Sequence, residues 1–248
     1  MRVIKILIML FGVFFSNTII SQDYVYFTYT NFYNTDYPLE RDAIIQYDKE
    51  DNSLVYVELK NTTKFRENSH FVNNDPNNFM VDINKGDFFI LNKNGSILFS
   101  GVYGFGNVVN VTDSVLFNWK LKDETKEIDG YQCYKALTDF RGRTWEAWYC
   151  PDIAINYGPW KFWGLPGLIF EVSDTEKIYN FHLTKIGRDL KQEIKYPEKH
   201  KKISLKEFVS NENKQGTIDN LDRDVHVETN FVRKSPELIY EWENENNE

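Results

Sequence analysis

The feature that most limits how this chain can fold is a proline- and glycine-rich stretch that also carries several tryptophans. Gly158-Pro159 and Gly164-Leu165-Pro166-Gly167 exclude a continuous helix or a regular strand ladder, because proline lacks a backbone donor and glycine punctuates regular structure. Between them lie Trp160, Phe162 and Trp163. An irregular segment with side chains this bulky and apolar has to bury them.

Two interpretations of this stretch are open at the level of the sequence. In the first, it is a plug that packs against a β-sheet. In the second, it forms the edge of a groove that binds an apolar ligand or a segment of a partner protein. The side chains that would line such a groove are Trp160, Phe162, Trp163, Leu165 and Leu168.

A β-hairpin is predicted directly before this stretch. Tyr131–Thr138 and Trp145–Cys150 have the aromatic-rich composition of strands. A turn centred between Arg141 and Gly142 would join them in an antiparallel arrangement. Counting outward from that turn gives three opposed pairs: Tyr134 with Tyr149, Ala136 with Ala147, and Thr138 with Trp145.

The same count places the two cysteines of the chain, Cys133 and Cys150, opposite one another. Directly opposed strand residues lie about 4.5–5.5 Å apart, which is within reach of a disulfide. The bond would close a loop of about 17 residues and stabilise the fold by roughly 3 kcal/mol in the chain-entropy account. A disulfide is therefore predicted, and two separate buried thiols are the alternative.

A second hairpin is predicted directly after the stretch. A turn between Thr175 and Glu176 pairs Val172 with Tyr179 and gives one continuous apolar face. His182 then points to the opposite face. A lone histidine there is expected to be structural or solvated rather than a ligand to a metal.

The order of these short motifs resembles the GLPGLI family of exported proteins from Bacteroidetes. The similar segments are Trp119-Lys120-Leu121, Lys126–Gly130, Tyr131-Gln132-Cys133, Gly142-Arg143, Ala147-Trp148-Tyr149, Gly158-Pro159, Gly164–Ile169 and Lys234–Leu238. The last has Ser-Pro where the family usually has Asn-Pro. The resemblance implies a β-rich secreted or periplasmic protein. The family has no established activity, so it implies no catalytic residues.

The N-terminus has the layout of a secretory signal peptide. Arg2 and Lys5 precede the apolar run Ile6–Phe15, which is too short to span a bilayer that needs about 20 residues. We expect a signal peptide over residues 1–21 and a single β-rich domain over residues 22–248, with an uncleaved anchor helix as the alternative. No transmembrane segment is predicted in the mature chain, which is expected to reach the periplasm, the outer membrane or the exterior.

The remaining pattern is a succession of short strands with hairpin-like links. Tyr24–Tyr33 is predicted to be a strand, and Asn94-Gly95 is a strong hairpin-turn signal. Ser204 opens a capping-box helix, and Ser235-Pro236 predicts a terminal helix that ends near Trp242. The expected fold class is mainly β (α+β), a curved, largely antiparallel sheet or half-barrel with a few short C-terminal helices.

Charge limits the classes of partner. The chain carries 29 basic and 37 acidic residues and a formal net charge of −8, which is poorly suited to nucleic-acid binding. Lys191–Lys202 is nonetheless locally basic. Such a run is usually a solvated surface, and contact with an anionic lipid headgroup or an acidic partner is the alternative.

Motifs that would announce a known chemistry are missing from the sequence. There is no Gly-x-Ser-x-Gly, no His-Glu-x-x-His and no phosphate-binding glycine loop, and no cofactor or metal is predicted. Asp139 and Glu146 could form a carboxylate pair on one face of the first hairpin. Nearby lysine and arginine residues favour ion pairing over catalysis for them.

The favoured hypothesis is an exported, non-enzymatic binding or assembly protein of the cell envelope. It would hold an apolar ligand or an envelope partner near the Gly164–Leu168 loop. An exported hydrolase without a recognisable motif and a structural partner of an outer-membrane complex are the two alternatives.

Overall fold

A computed structural model describes residues 24–65, 88–104, 106–187, 194–216 and 235–244. The expected signal peptide, residues 1–21, lies outside the described residues. Within these ranges, no helix has both the length and the apolar character needed to cross a membrane.

Thirteen strands and two short α-helices make up the described parts of the chain. The strands are β1 Tyr24–Tyr33, β2 Leu39–Asp48, β3 Ser53–Glu58, β4 Lys64–Phe65, β5 Phe88–Lys93, β6 Ser96–Tyr103, β7 Asn107–Ser114, β8 Lys120–Ile128, β9 Tyr131–Phe140, β10 Arg143–Cys150, β11 Leu168–Asp174, β12 Tyr179–Gly187 and β13 Lys201–Ser204. The helices are α1 Leu205–Gly216 and α2 Glu241–Asn244, and Lys60–Thr62 forms a short 3-10 turn. The expected mainly β fold class is confirmed.

All thirteen strands belong to one open sheet. Its order is β13-β7-β6-β5-β3-β2-β1-β12-β11-β10-β9-β8, with β4 paired to β2 beside this path. Every pairing is antiparallel except that of β13 with β7, which is parallel. The hairpin connections along most of the chain explain this, because antiparallel neighbours can be joined by short turns.

Strand β1 shows why the sheet has one buried face. Its side chains alternate, and Phe27, Tyr29 and Asn31 are fully buried. Successive strand residues point to opposite sides, so these three share a face with Ile45 of β2 and Trp145 of β10, both also fully buried. We call this side the concave face and its reverse the outer face.

The sheet curls around its own contents. The Lys161 ammonium lies 4.7 Å from the centre of the Phe99 ring on β6. The ring of the next residue, Phe162, is 4.8 Å from the Trp145 ring on β10. Those two strands are seven positions apart in the sheet, or about 34 Å if it were flat. Two adjacent residues can touch both strands only because the sheet is strongly curved.

The first hairpin has the predicted register. Tyr149 pairs with Tyr134, Ala147 with Ala136, and Trp145 with Thr138. Its turn residues Arg141 and Gly142 both have positive φ, at 45° and 83°. Two left-handed residues in a two-residue loop match the twist of the strands they join.

The second hairpin was predicted two residues out of register. Val172 pairs with Phe181 instead of Tyr179. The Asp174 carboxylate accepts the Tyr179 N–H at 2.7 Å, and Lys177 adopts a left-handed φ of 58°, so the loop is longer than predicted. A shift of two residues preserves the faces, and His182 does lie opposite Glu171 on the outer face.

Helix predictions had mixed outcomes. The Ser204 hydroxyl accepts the Glu207 N–H at 3.1 Å and caps α1 as expected. The predicted start of the terminal helix at Ser235-Pro236 was wrong, since α2 begins only at Glu241. The backbone N–H of Leu238 instead donates to the Arg141 carbonyl at 2.8 Å, which draws this segment onto the first hairpin turn.

Candidate functional site

The five predicted groove residues lie on the segment that crosses the concave face between β10 and β11. Phe162 and Leu165 are fully buried, Leu168 is 1% exposed and Trp160 is 7% exposed. Only Trp163 is partly exposed, at the edge of the segment. In this arrangement the side chains occupy the interior, as in the plug interpretation. We call residues 157–168 the plug.

Phe162 is the centre of an aromatic cluster. Four other rings have centroids within 4.8–6.1 Å of the Phe162 ring: Phe117 at 5.3 Å, Trp145 at 4.8 Å, Trp160 at 5.1 Å and Phe181 at 6.1 Å. They come from three separate parts of the sheet and from the plug itself. Burying aromatic side chains in this number makes the plug a large part of the hydrophobic core.

The plug backbone is held by its own hydrogen bonds. The Gly158 N–H donates to the Phe162 carbonyl at 3.0 Å, and the Gly164 N–H donates to the Asn156 carbonyl at 2.8 Å. The Asn92 side chain, on β5, donates to the Lys161 carbonyl at 3.3 Å. An irregular buried segment needs such partners because an unpaired backbone group costs free energy.

Gly167 is required by a close approach of two backbones. A Cβ atom on this residue would lie 2.2 Å from the Cys150 carbonyl oxygen and 2.8 Å from the Pro151 Cα. Neither of those atoms can move without moving the chain. The C-terminal end of the plug therefore sits directly on the end of β10.

Lys161 carries a charge into this apolar interior. Its side chain is 2% exposed, and its Nζ donates to Asp113 Oδ2 at 2.8 Å and to Glu237 Oε1 at 2.9 Å. Asp113 is on β7 and Glu237 is in the C-terminal segment. A buried ammonium is tolerated only when it is paired in this way.

Arg141 completes the buried ion cluster. It donates two hydrogen bonds to Asp113 at 2.8 Å each, one to Glu237 at 2.5 Å and one to the more exposed Glu241 at 2.9 Å. Burial alone would raise the pKa of Asp113. The hydrogen bonds from Arg141 and the charge of Lys161 outweigh burial and hold that pKa below its usual value. The cluster joins the hairpin turn, the plug, β7 and the C-terminal segment.

A second buried polar cluster lies on β1–β3. Glu58, 6% exposed, accepts hydrogen bonds from Tyr33, from Tyr56 at 3.3 Å and from Arg41 at 2.8 Å. Burial, followed by the charge of Glu58, raises the pKa of Tyr33 well above its usual value. These partners join β1, β2 and β3.

The two cysteines are neighbours, but the predicted disulfide is not present in the structure. Cys133 and Cys150 are free thiols and both are fully buried. Burial and the adjacent Cys150 raise the pKa of the Cys133 thiol to about 12. The predicted juxtaposition of the two residues is therefore seen without the covalent bond.

Charged groups on the outer face are balanced. Glu171 pairs with Lys126, and its Oε1 is 3.8 Å from His182 Nδ1. The hydrogen bond to His182, with Lys126, lowers the pKa of Glu171 to about 2 against the effect of burial. Asp139 accepts a hydrogen bond from Thr144, and Glu146 lies 3.2 Å from Lys135, so both carboxylates of the suggested pair are engaged in polar contacts.

Two open grooves lie on the outer face. One, of about 510 Å³, is lined by Thr30, Phe32, Asn34, Asn180, His182 and Thr184. The other, of about 860 Å³, lies between strands β2, β3 and β5 and the crossing segment Ile194–His200. We call the second the strap groove. Its strap is anchored by the Ile194 N–H, which donates to Gln46 at 2.8 Å, and by Tyr196, whose hydroxyl is 3.0 Å from Asn110 Oδ1.

Comparison with known families finds similarity in the central part of the chain. A family model described as "Protein of unknown function (Porph_ging)" matches residues 141–171. The chain is similar to that family there. The family is associated with Bacteroidetes, and the matched range includes the first hairpin turn and the whole plug.

Similarity to solved structures is a matter of fold. A structure of PNGF-II has a TM-score of 0.50 and 15% sequence identity, and the match covers 76% of this chain and 32% of that one. The chain thus corresponds to about a third of the length of PNGF-II. A second crystal form gives 0.48 and 14%, over 75% and 32% of the two chains. An uncharacterized conserved protein from Thermus thermophilus gives 0.39 and 8%, over 74% and 91%. No curated protein sequence matches.

Sequence reasoning missed the residues that hold the plug. Asp113, Lys161 and Glu237 lie far apart in the chain and belong to no recognisable pattern. A signal was nonetheless present for one of them, since Lys161 interrupts an otherwise apolar and aromatic run. A lysine in that position has to be either exposed or paired, and the structure shows that it is paired.

Proposed function

We propose that this chain is an exported, non-enzymatic binding or assembly protein of the cell envelope, and that its ligand site is the strap groove. The plug supports this choice of site, because its side chains are used to fill the concave face. The groove at about 860 Å³ is within the size range of small-molecule sites, roughly 300–1,000 Å³.

The observation that carries the proposal is the lining of the strap groove. Val55 of β3 and Leu91 of β5 point to the outer face and remain partly exposed, and Ile194 of the strap is partly exposed above them. The groove thus offers an apolar floor with polar groups around it. Such a combination suits a ligand with a substantial apolar part.

In this proposal the five residues predicted from the sequence serve the site indirectly. Trp160, Phe162, Trp163, Leu165 and Leu168 keep the curved sheet in shape, so that β2, β3 and β5 present a fixed outer surface to the strap. Phe162 makes the clearest contribution, through its contacts with rings from several strands.

Export and membership of the GLPGLI family are part of the same proposal. The order of the sequence motifs supports them, and the range matched by the Porph_ging model contains Gly164–Ile169. A Cys133–Cys150 disulfide in the exported protein is proposed on the same basis. The opposed positions of the two buried thiols support it.

The test is to purify the full chain after export in a Gram-negative host and to analyse organic extracts by mass spectrometry. A Leu91→Glu variant places a charge on the groove floor, and Leu121→Glu places one on an already exposed position of β8. We expect a reproducible apolar species with the wild type and Leu121→Glu, and its loss with Leu91→Glu. Empty extracts from the wild type, or equal retention by Leu91→Glu, would count against the proposal.

A further inference from the structure

The strap groove is bordered by a locally basic segment in an acidic protein. Residues 194–204 contain Lys195, Lys199, Lys201 and Lys202 against Glu198, so four positive charges minus one leaves +3 with His200 neutral. The whole chain has a formal net charge of −8. Positive potential is therefore concentrated at one lip of the groove.

Three of these cations lie on the groove side of the sheet. Lys199 and His200 line the groove directly. Lys202 pairs in register with Asn110 on β7, and the Asn110 side chain donates to the Pro197 carbonyl of the strap at 3.0 Å. Residues in register on neighbouring strands point to the same face, so Lys202 shares the face that carries the strap.

Among the residues that the structure describes, Lys199, His200 and Lys202 have no carboxylate within 4.0 Å. Lys201 differs, because it points to the other face and lies 3.8 Å from Glu207. Charges on one lip of a groove that no acidic side chain balances can be balanced by a bound anion.

The acidic groups at the groove are already engaged or lie on other parts of its rim. Asp51 pairs with Lys93, and Asp48 accepts the N–H groups of Glu50 and Asp51 at 2.8 Å and 3.2 Å. Both are at the β2–β3 turn, whereas the basic residues are on the strap and β13. Glu198 is the third acidic residue of the lining.

We infer that the strap groove binds a small amphipathic anion. The apolar part lies over Val55 and Leu91 and beneath Ile194, and a carboxylate or phosphate group is held by Lys199 and His200. Lys202 adds to the positive potential from the same face. Fatty acids and anionic lysophospholipids share this chemistry. The inference rests on the proposed function and names the ligand class for the same groove.

The test compares ligands that differ only in their head group. Binding of lysophosphatidylglycerol, lysophosphatidylcholine and laurate to the purified full chain is measured below their critical micelle concentrations by titration calorimetry. The variant is Lys199→Gln/Lys202→Gln, and the matched control is Lys120→Gln/Lys122→Gln on the exposed edge strand β8. Thermal unfolding of each variant confirms that it is folded.

We expect both anions to bind about tenfold more tightly than lysophosphatidylcholine, as two partly exposed charge contacts would give. The strap variant should lose that preference, and the control should keep it. Equal affinity for the two lysophospholipids, or a preference that survives in the strap variant, would overturn the anion assignment and leave the groove intact as an apolar site. Absence of binding by all three ligands would overturn the proposed function as well.

Discussion

A Lys161→Met substitution removes a buried cation while keeping an unbranched side chain of similar length. In the structure the Lys161 ammonium contacts Asp113 at 2.8 Å and Glu237 at 2.9 Å. With Arg141, the buried part of the cluster contains two cations and two carboxylates. After substitution Arg141 alone faces both buried carboxylates, and one negative charge is left without a partner.

Removing one member of a buried ion pair costs about 3–5 kcal/mol in the free energy of unfolding. For a domain of this size each kcal/mol lowers Tm by about 2–4 °C, so the expected fall is about 6–20 °C. Adding Asp113→Asn to the same chain restores the charge balance. The double variant should therefore lose about 1 kcal/mol less than the sum of the two single losses.

The assay is guanidinium unfolding at pH 7, followed by tryptophan fluorescence and extrapolated to water. Lys120→Met is the matched control, because Lys120 is 68% exposed and lies 3.5 Å from Asp139. Its loss should be below about 1 kcal/mol. If Lys161→Met costs no more than the control, then Lys161 is solvated and the plug is not held in the way described.

Three further predictions follow from the same packing. Exported protein should carry a Cys133–Cys150 disulfide, seen as a mass lower by two hydrogens and as no reaction with a thiol reagent in denaturant; two reactive thiols would contradict this. Gly167→Ala should destabilise the fold by more than Gly104→Ala, whose Cβ meets nothing within 4 Å, and equal Tm values would show that the close approach is absent. Because the folded pKa of Asp113 is lowered, its contribution to stability should be present above about pH 4 and lost as pH falls further. Asp113→Asn should flatten that acid loss in unfolding curves, and an unchanged slope would be contrary to the assignment.

Local chemistry explains what could be predicted from the sequence. The register of the first hairpin follows from the Arg141-Gly142 turn and the aromatic alternation beside it. The second hairpin was placed two residues away because an alternating pattern is unchanged by a shift of two. Its true register is set by the Asp174 side chain and the left-handed Lys177, which the pattern does not reveal.

Long-range contacts explain what could not be predicted. Lys161 meets Asp113 across 48 positions and Glu237 across 76, and no local pattern links these segments. The terminal helix was placed too early for the same reason, since Leu238 is bound to the Arg141 carbonyl. The strap groove likewise exists only because Ile194–His200 crosses the outer face, although its basic composition was visible in the sequence.

The most direct test of the central claim is residue-resolved amide hydrogen exchange of the native protein by NMR. The claim is that residues 157–168 form a buried plug, and it concerns the Gly158 and Gly164 amides, which donate inside it. We predict that both exchange nearly as slowly as the core amides of β11, through global unfolding. Exchange as fast as that of the exposed β2–β3 turn would contradict the plug and return this segment to the surface of the protein.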